Sequence, residues 1–198
     1  MTEAPRQLNL GCGFDGRQGF VNADSFPECE PDVLMDIETH PWPFVDDAFD
    51  YILMKHVLEH VGADFAGFKA VMQDLYRVAA PGGIIEIHVP DYRHETYWSD
   101  PTHVRAFTYQ TFEMMSAAKN RQWMAERANF TMLAFAMKVD FEIEQAERVY
   151  DPFWLAKVKA GEMTREQLRR AGEDQWGVVR EMQIKIRAVK PRSPSGEV

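Results

Sequence analysis

Strand-sized apolar runs recur through the first half of the chain, at residues 7–10, 20–23, 33–35, 51–54 and 84–89. They lack clean alternation, the pattern of strands covered on both faces. Between the fourth and fifth runs, Phe65, Phe68, Val71, Met72, Leu75 and Tyr76 fall at helical spacing, and Pro81-Gly82-Gly83 follows as a stop signal. A helix between two apolar runs is a strand–helix–strand unit and predicts a parallel sheet. The second half changes period. Residues 107–137 read as mostly helical, with a methionine-rich apolar content that predicts core. Residues 139–149 and 178–189 read as two strands. The second alternates Met182, Ile184, Ile186 and Ala188 against Glu181, Gln183, Lys185 and Arg187. The connection 151–177 holds a charged helix around 164–171. The pattern predicts an α/β chain whose sheet ends in a long antiparallel pair.

Length and composition narrow this further. The 198 residues suit a single domain, expected over 1–190, with 191–198 reading as a frayed tail. Within it, 7–90 form one half and 91–190 the other, the latter carrying the 151–177 insertion. The net charge of −9 speaks against a general grip on nucleic acid, which needs a surplus of Lys and Arg. No apolar run approaches the ~18 residues a membrane helix requires, and residues 1–7 show no secretory pattern. Two cysteines, Cys12 and Cys29, are too few for a disulfide scaffold. A reduced, cytoplasmic protein is expected.

The first strand runs into Gly11-Cys12-Gly13-Phe14-Asp15-Gly16, a literal G-x-G-x-x-G. Glycines permit tight turns and let backbone approach a ligand. The next strand-end acid, Asp24, stands only eight residues beyond Gly16, whereas a dinucleotide fingerprint places its acid about 20 residues on. The nine residues between Leu10 and Phe20 also leave no room for a normal crossover helix. A shortened nucleoside site fits better than a dehydrogenase. Asp24 and Asp36 both end apolar runs, at the sheet edge where such folds bind ligands.

The segments LNLGCG, FVNAD, DVLMDIE, PWPFVDDAFDYI, HVLEHV and LYRVAAPGGIIEIHVPD, in this order, resemble a class I S-adenosylmethionine-dependent methyltransferase. More narrowly, they resemble the short, type 11-like variety with a reduced first helix. The resemblance covers residues 7–115. It implies a doubly wound, Rossmann-like α/β sandwich on a mixed sheet with an antiparallel last strand. It also implies a soluble enzyme that uses S-adenosylmethionine and releases S-adenosylhomocysteine. Gly11, Cys12 and Gly13 would line the methionine and ribose part, Asp24 would bind the ribose hydroxyls, and Asp36 with the Ile37 backbone would meet adenine. Lys55 and His56 would lie near the sulfonium. The acceptor is expected to be a hydroxyl or amine of a small molecule or a glycan. The alternatives are a binding module of the same fold without turnover and, less favoured, a nicotinamide oxidoreductase.

Two further segments carry chemistry. His56, Glu59 and His60 form H-x-x-E-H, also a zinc-peptidase signature, but here the string follows a strand and lacks the long helix such a site needs. The ubiquinone-biosynthesis O-methyltransferases have a similar E-x-x-E-H segment that binds a cation. Because His56 replaces its first glutamate, the expectation is a hydrogen-bonded Glu59–His60 pair and no required metal. The segment 89–108 then gathers His94, Asp100, His103 and Arg105 among Tyr92, Tyr97, Trp98 and Phe107. His103 is the first candidate for a general base, followed by His94 and Asp91. Arg105 is a candidate clamp for an acceptor phosphate or carboxylate.

Overall fold

The computed structural model describes residues 6–190; the expected tail at 191–198 lies outside them. Four short parallel strands come first: β1 (Gln7–Leu10), β2 (Val21–Asp24), β3 (Val33–Leu34) and β4 (Phe49–Lys55). Helix α1 (Phe65–Val78) leads into β5 (Ala79–Pro90). Then come α2 (Glu95–Trp98), α3 (Tyr109–Glu113), α4 (Ala117–Glu126) and α5 (Leu133–Met137). The chain closes through β6 (Phe141–Tyr150), α6 (Pro152–Lys159), α7 (Arg165–Asp174) and β7 (Val179–Ala188). The sheet order is β3-β2-β1-β4-β5-β7-β6. The order reverses between β1 and β4, as in a doubly wound sheet, and β7 lies antiparallel to both β5 and β6.

The helix α1 forms where the apolar spacing places it. Asp64 caps it, its Oδ1 accepting from the Gly67 amide at 2.7 Å. Phe68, Val71, Met72, Leu75 and Val78 bury one stripe of it against Leu8, Ile52, Met54, Ile85 and Ile87. The region 107–137, expected to be mostly helical, is broken into three short helices. Arg127 and Lys138, both left-handed, terminate α4 and α5. The expectation that the methionine-rich content is core holds for Met115 and Met137, whereas Met124 and Phe135 are exposed on the short helices.

The apolar core lies on one face of the sheet, and strands covered equally on both faces are not what forms. On β5, Ile85, Ile87 and Val89 are buried, while Glu86 and His88 point the other way; β7 alternates in the same manner. The second face carries a polar cluster. Tyr51 Oη donates to Glu86 at 2.7 Å, His88 Nε2 lies 2.8 Å from Glu86, and Lys185 Nζ lies 3.0 Å from it. Burial opposes ionisation of Glu86, but these partners outweigh it and hold its carboxyl at about 2. A smaller apolar cluster, Leu168, Ala171 and Val178 with Tyr150 and Trp154, folds the 151–177 segment against the ends of β6 and β7.

Candidate active site

The connection from β1 to β2 contains no helix. It is held instead by the amides of Gly11 and Cys12, which both donate to the Ala23 carbonyl at 2.8 and 3.1 Å. Gly11 has φ +70°, and a Cβ there would stand 2.3 Å from Val57 Cγ2. Glycine therefore lets the ends of β1 and β4 close together at the point where strand order reverses. Gly13 also has positive φ, and a Cβ on it would project into open space. Its amide donates to Asp24 Oδ2 at 2.8 Å, and the Phe26 amide donates to Oδ1 at 2.9 Å. The carboxylate is thus fixed in orientation beside the glycine turn.

These elements enclose a groove of about 360 Å³. Gly11, Gly13, Asp24 and Ser25 form one end, and Met35 and Ile37 offer an apolar platform. His56, Val57, His60 and Val61 close the other end. The donor set suits a nucleoside: a fixed carboxylate for a ribose diol, an apolar slot for a base, and glycine backbone where an added side chain would intrude. Of the residues expected here, Gly11, Gly13, Asp24, Ile37 and His56 line the groove. Cys12, Asp36 and Lys55 stand behind or beside it. The Cys12 thiol is buried and turned toward Cys29, and burial is the main reason it is pushed up to about 12. Asp36 caps its own turn, accepting from the Glu38 amide at 2.8 Å. Lys55 pairs with Asp15 at 3.5 Å.

A second cavity, also about 360 Å³, adjoins the first and shares His56 and His60 with it. Its other walls are Glu59, Pro90, Thr96, Asp100, His103, Val149, Arg180 and Glu181. Antiparallel β7 begins at this edge of the sheet and so delivers Arg180 and Glu181 to it. His56 has left-handed backbone at φ 55°, a conformation that costs a non-glycine residue about 1–3 kcal/mol. It aims the ring between the cavities, with Nε2 2.9 Å from Glu181. The Glu181 contact, and after it the Glu59 contact, raise His56 to about 9, so it is an imidazolium at neutral pH. Glu181 is correspondingly low: burial acts against the charge, but His56 and Gln183 outweigh it.

Glu59 sits on a short 3-10 turn, Leu58–His60, and is 1% exposed. Its carbonyl accepts from the Val104 and Arg105 amides, which ties the H-x-x-E-H string to the segment after β5. Its carboxylate makes no hydrogen bond; the nearest nitrogen, His56 Nδ1, is 3.5 Å away. The Glu59–His60 pairing expected from sequence does not form, because His60 Nδ1 turns to Thr102 Oγ1 at 2.8 Å. His103 Nδ1 lies 2.6 Å from the Tyr97 carbonyl, so this nitrogen carries the proton and Nε2 presents a lone pair to the cavity. His94 and Asp91, the other base candidates, lie elsewhere. His94 is buried with Nε2 3.4 Å from Asp151, in a neighbouring recess flanked by Trp98 and Trp176. Asp91 accepts from the Arg93 amide at 2.9 Å. Arg105 donates to the backbone carbonyls of Gly62 and Asp64 and lies 4.3 Å above the Phe68 ring, a structural placement.

The sequence matches the methyltransferase domain family over residues 9–134, and the chain belongs to that family. No curated protein matches. Solved structures share the fold at low identity. A SAM-dependent methyltransferase from Archaeoglobus fulgidus superposes with TM-score 0.55 at 17% identity, covering 93% of this chain and 86% of that one. One from Methanosarcina mazei gives 0.54 at 13%, covering 96% and 95%. Phosphoethanolamine N-methyltransferase 2 of Haemonchus contortus, in complex with S-adenosyl-L-methionine, gives 0.52 at 14%, covering 96% of this chain and 50% of that one. The chain is an S-adenosylmethionine-dependent methyltransferase, with S-adenosylhomocysteine as the usual product. Among the described residues, no helix is long and apolar enough to cross a membrane.

Proposed function

We propose that this methyltransferase works in the cytoplasm and acts on a hydroxyl or amine of a small molecule or a glycan unit, bound in the cavity of His56, Glu59, His60 and His103. The observation that carries this reading is the adjacency of the two cavities through His56 and His60. S-adenosylmethionine supplies an activated methyl group, so the chain's own task is to hold the acceptor in line and exclude water. Asp24 would hold the ribose, Gly11 and Gly13 would let the donor close on the backbone, and Met35 and Ile37 would cover the base. His103 is placed to take a proton from the acceptor: its tautomer is fixed by Tyr97 and its Nε2 faces the cavity. The acidic lining of Glu59, Asp100 and Glu181, with the net charge of −9, favours such an acceptor over a nucleic acid.

The test is S-adenosylhomocysteine formation by the purified chain given S-adenosylmethionine and fractionated small-molecule or glycan extract, with RNA and DNA in parallel. Donor-dependent product in a small-molecule or glycan fraction is expected. Turnover confined to nucleic acid would overturn the acceptor assignment.

A further inference from the structure

We propose that Glu59, His60 and His103 bind a divalent first-row transition metal ion, with zinc as the reference case, on the wall of the acceptor cavity. One ligand atom from each lies within 4.8 Å of the others. What distinguishes this trio from an ordinary polar cluster is that its three acceptors converge without a donor among them.

Each lone pair is fixed by a neighbour. Thr102 Oγ1 donates to Asp100 Oδ1 at 2.6 Å, so its remaining role toward His60 Nδ1 is to accept. That puts the His60 proton on Nδ1 and leaves Nε2 bare. His103 is set the same way by the Tyr97 carbonyl, and its Nε2 comes within 4.0 Å of Glu59 Oε1. Glu59 is 1% exposed, and both its carboxylate oxygens lack a hydrogen bond. The nearest counter-charge is His56, whose Nδ1 stands 3.5 Å from Oε1, so the carboxylate has an ionic neighbour but no hydrogen bond to saturate either oxygen. The two imidazoles, each with its far nitrogen on an oxygen, have the outer arrangement that orients metal-binding histidines.

The donor chemistry selects the ion. Two imidazole nitrogens and one carboxylate suit zinc, manganese, iron or nickel, whereas magnesium and calcium ask for oxygen ligands. Ligand bonds of about 2.0–2.2 Å would draw the three atoms to roughly 3.4 Å apart, a movement of about an ångström. His56 is not in the set: its Nε2 is on Glu181 and its Nδ1 faces Glu59 Oε1 at 3.5 Å as an ion-pair partner. The sequence expectation of no required metal followed from His56 standing in the first place of the H-x-x-E-H string. The fold sets that residue aside and supplies His103 from a segment some forty residues further on. Two protein histidines and one carboxylate leave coordination positions open toward the cavity, where an oxygen-bearing acceptor would reach the ion. That last step alone rests on the acceptor reading above, and with the ion bound it replaces His103 as the base, because the Nε2 lone pair cannot hold the ion and take a proton at once.

The test is calorimetric titration of zinc, and separately magnesium, into the full chain after chelator treatment, with neither donor nor acceptor present. Its outcome is therefore independent of whether the chain methylates anything. One equivalent of zinc is expected and no comparable magnesium binding. His103→Ala and Glu59→Gln should weaken zinc by at least about 100-fold, beyond the roughly 10–100-fold cost of losing an outer partner. Exposed Thr102→Val, which disturbs little of the fold, should fall within that 10–100-fold range. Cobalt should give visible absorption bands in the wild type that His103→Ala removes. Cys12, Asp24 and Cys29 form the other candidate ligand cluster among the described residues, so Cys29→Ser is the control and should leave zinc affinity unchanged. Absence of zinc binding, affinity untouched by His103→Ala, or affinity lost with Cys29→Ser would each overturn the proposal.

Discussion

The two adjoining cavities have equal volume and opposite construction. The groove proposed for the donor is made mostly by backbone: two left-handed glycines, one amide-fixed carboxylate and a short apolar platform, drawn mostly from the ends of β1 to β4. The cavity proposed for the acceptor is made by side chains: three histidines, three acids and an arginine, drawn from the turn after β4, the segment after β5 and the start of β7. The contrast follows from what each must recognise. A cofactor of constant shape is met by fixed backbone and a few polar groups. An acceptor that must be oriented and deprotonated needs titratable groups whose tautomers are set by neighbours.

The sharpest break in the comparison is expected at His103. His103→Ala should lower turnover by about 10²–10⁴-fold with S-adenosylhomocysteine affinity nearly unchanged. His103→Asn, which keeps a hydrogen-bonding side chain but cannot take the proton, should not restore it. This loss is shared by the base and the metal readings, and zinc titration separates them. On the donor side, Gly11→Ala combines left-handed strain with the 2.3 Å approach to Val57. It should cost about 2–4 kcal/mol of stability in urea unfolding and weaken S-adenosylhomocysteine as well.

The shared wall should show itself in pH dependence. His56 is raised to about 9 by Glu181 and Glu59. Its contribution to stability is complete below its ordinary value near 6.5 and is lost as pH rises through 9. Urea unfolding at stepped pH should show that decline, and His56→Gln should flatten it. The smallest effect is expected on the opposite sheet face, away from both cavities. Tyr51→Phe removes one hydrogen bond to Glu86, which should cost about 0.5–1.5 kcal/mol and leave S-adenosylhomocysteine affinity as it was.

Much of the donor side was legible in the sequence because backbone requirements leave local marks. Gly11 and Gly13 after an apolar run, and Asp24 at the end of the next, are readable without knowing what lies across the sheet. Where reading by position failed to place a residue in the groove, the cause was local competition for its side chain. Asp36 serves its own turn, Lys55 meets Asp15, and the Cys12 thiol turns to Cys29. The acceptor side was legible only in part. His103 was visible in its chemically dense string and Glu59 in the H-x-x-E-H string, where it was expected to pair with His60, but Glu181 read as an outward strand position. The meaning of both acids comes from tertiary contacts: antiparallel β7 starts at the ligand edge, and the Val104 and Arg105 amides bind the Glu59 carbonyl. The clue to Glu181 was the alternation of β7, whose polar register contains it. The same register, shared by Glu86 and His88 on β5, marks the sheet's polar second face.

The division of labour between the two cavities is tested most directly by measuring S-adenosylhomocysteine affinity calorimetrically in Asp24→Ala and His103→Ala, each with folding checked. The account predicts that Asp24→Ala loses about 1.5–3 kcal/mol, roughly 10–150-fold, while His103→Ala binds as the wild type does. Wild-type affinity in a folded Asp24→Ala variant, or a comparable loss in His103→Ala, would contradict it.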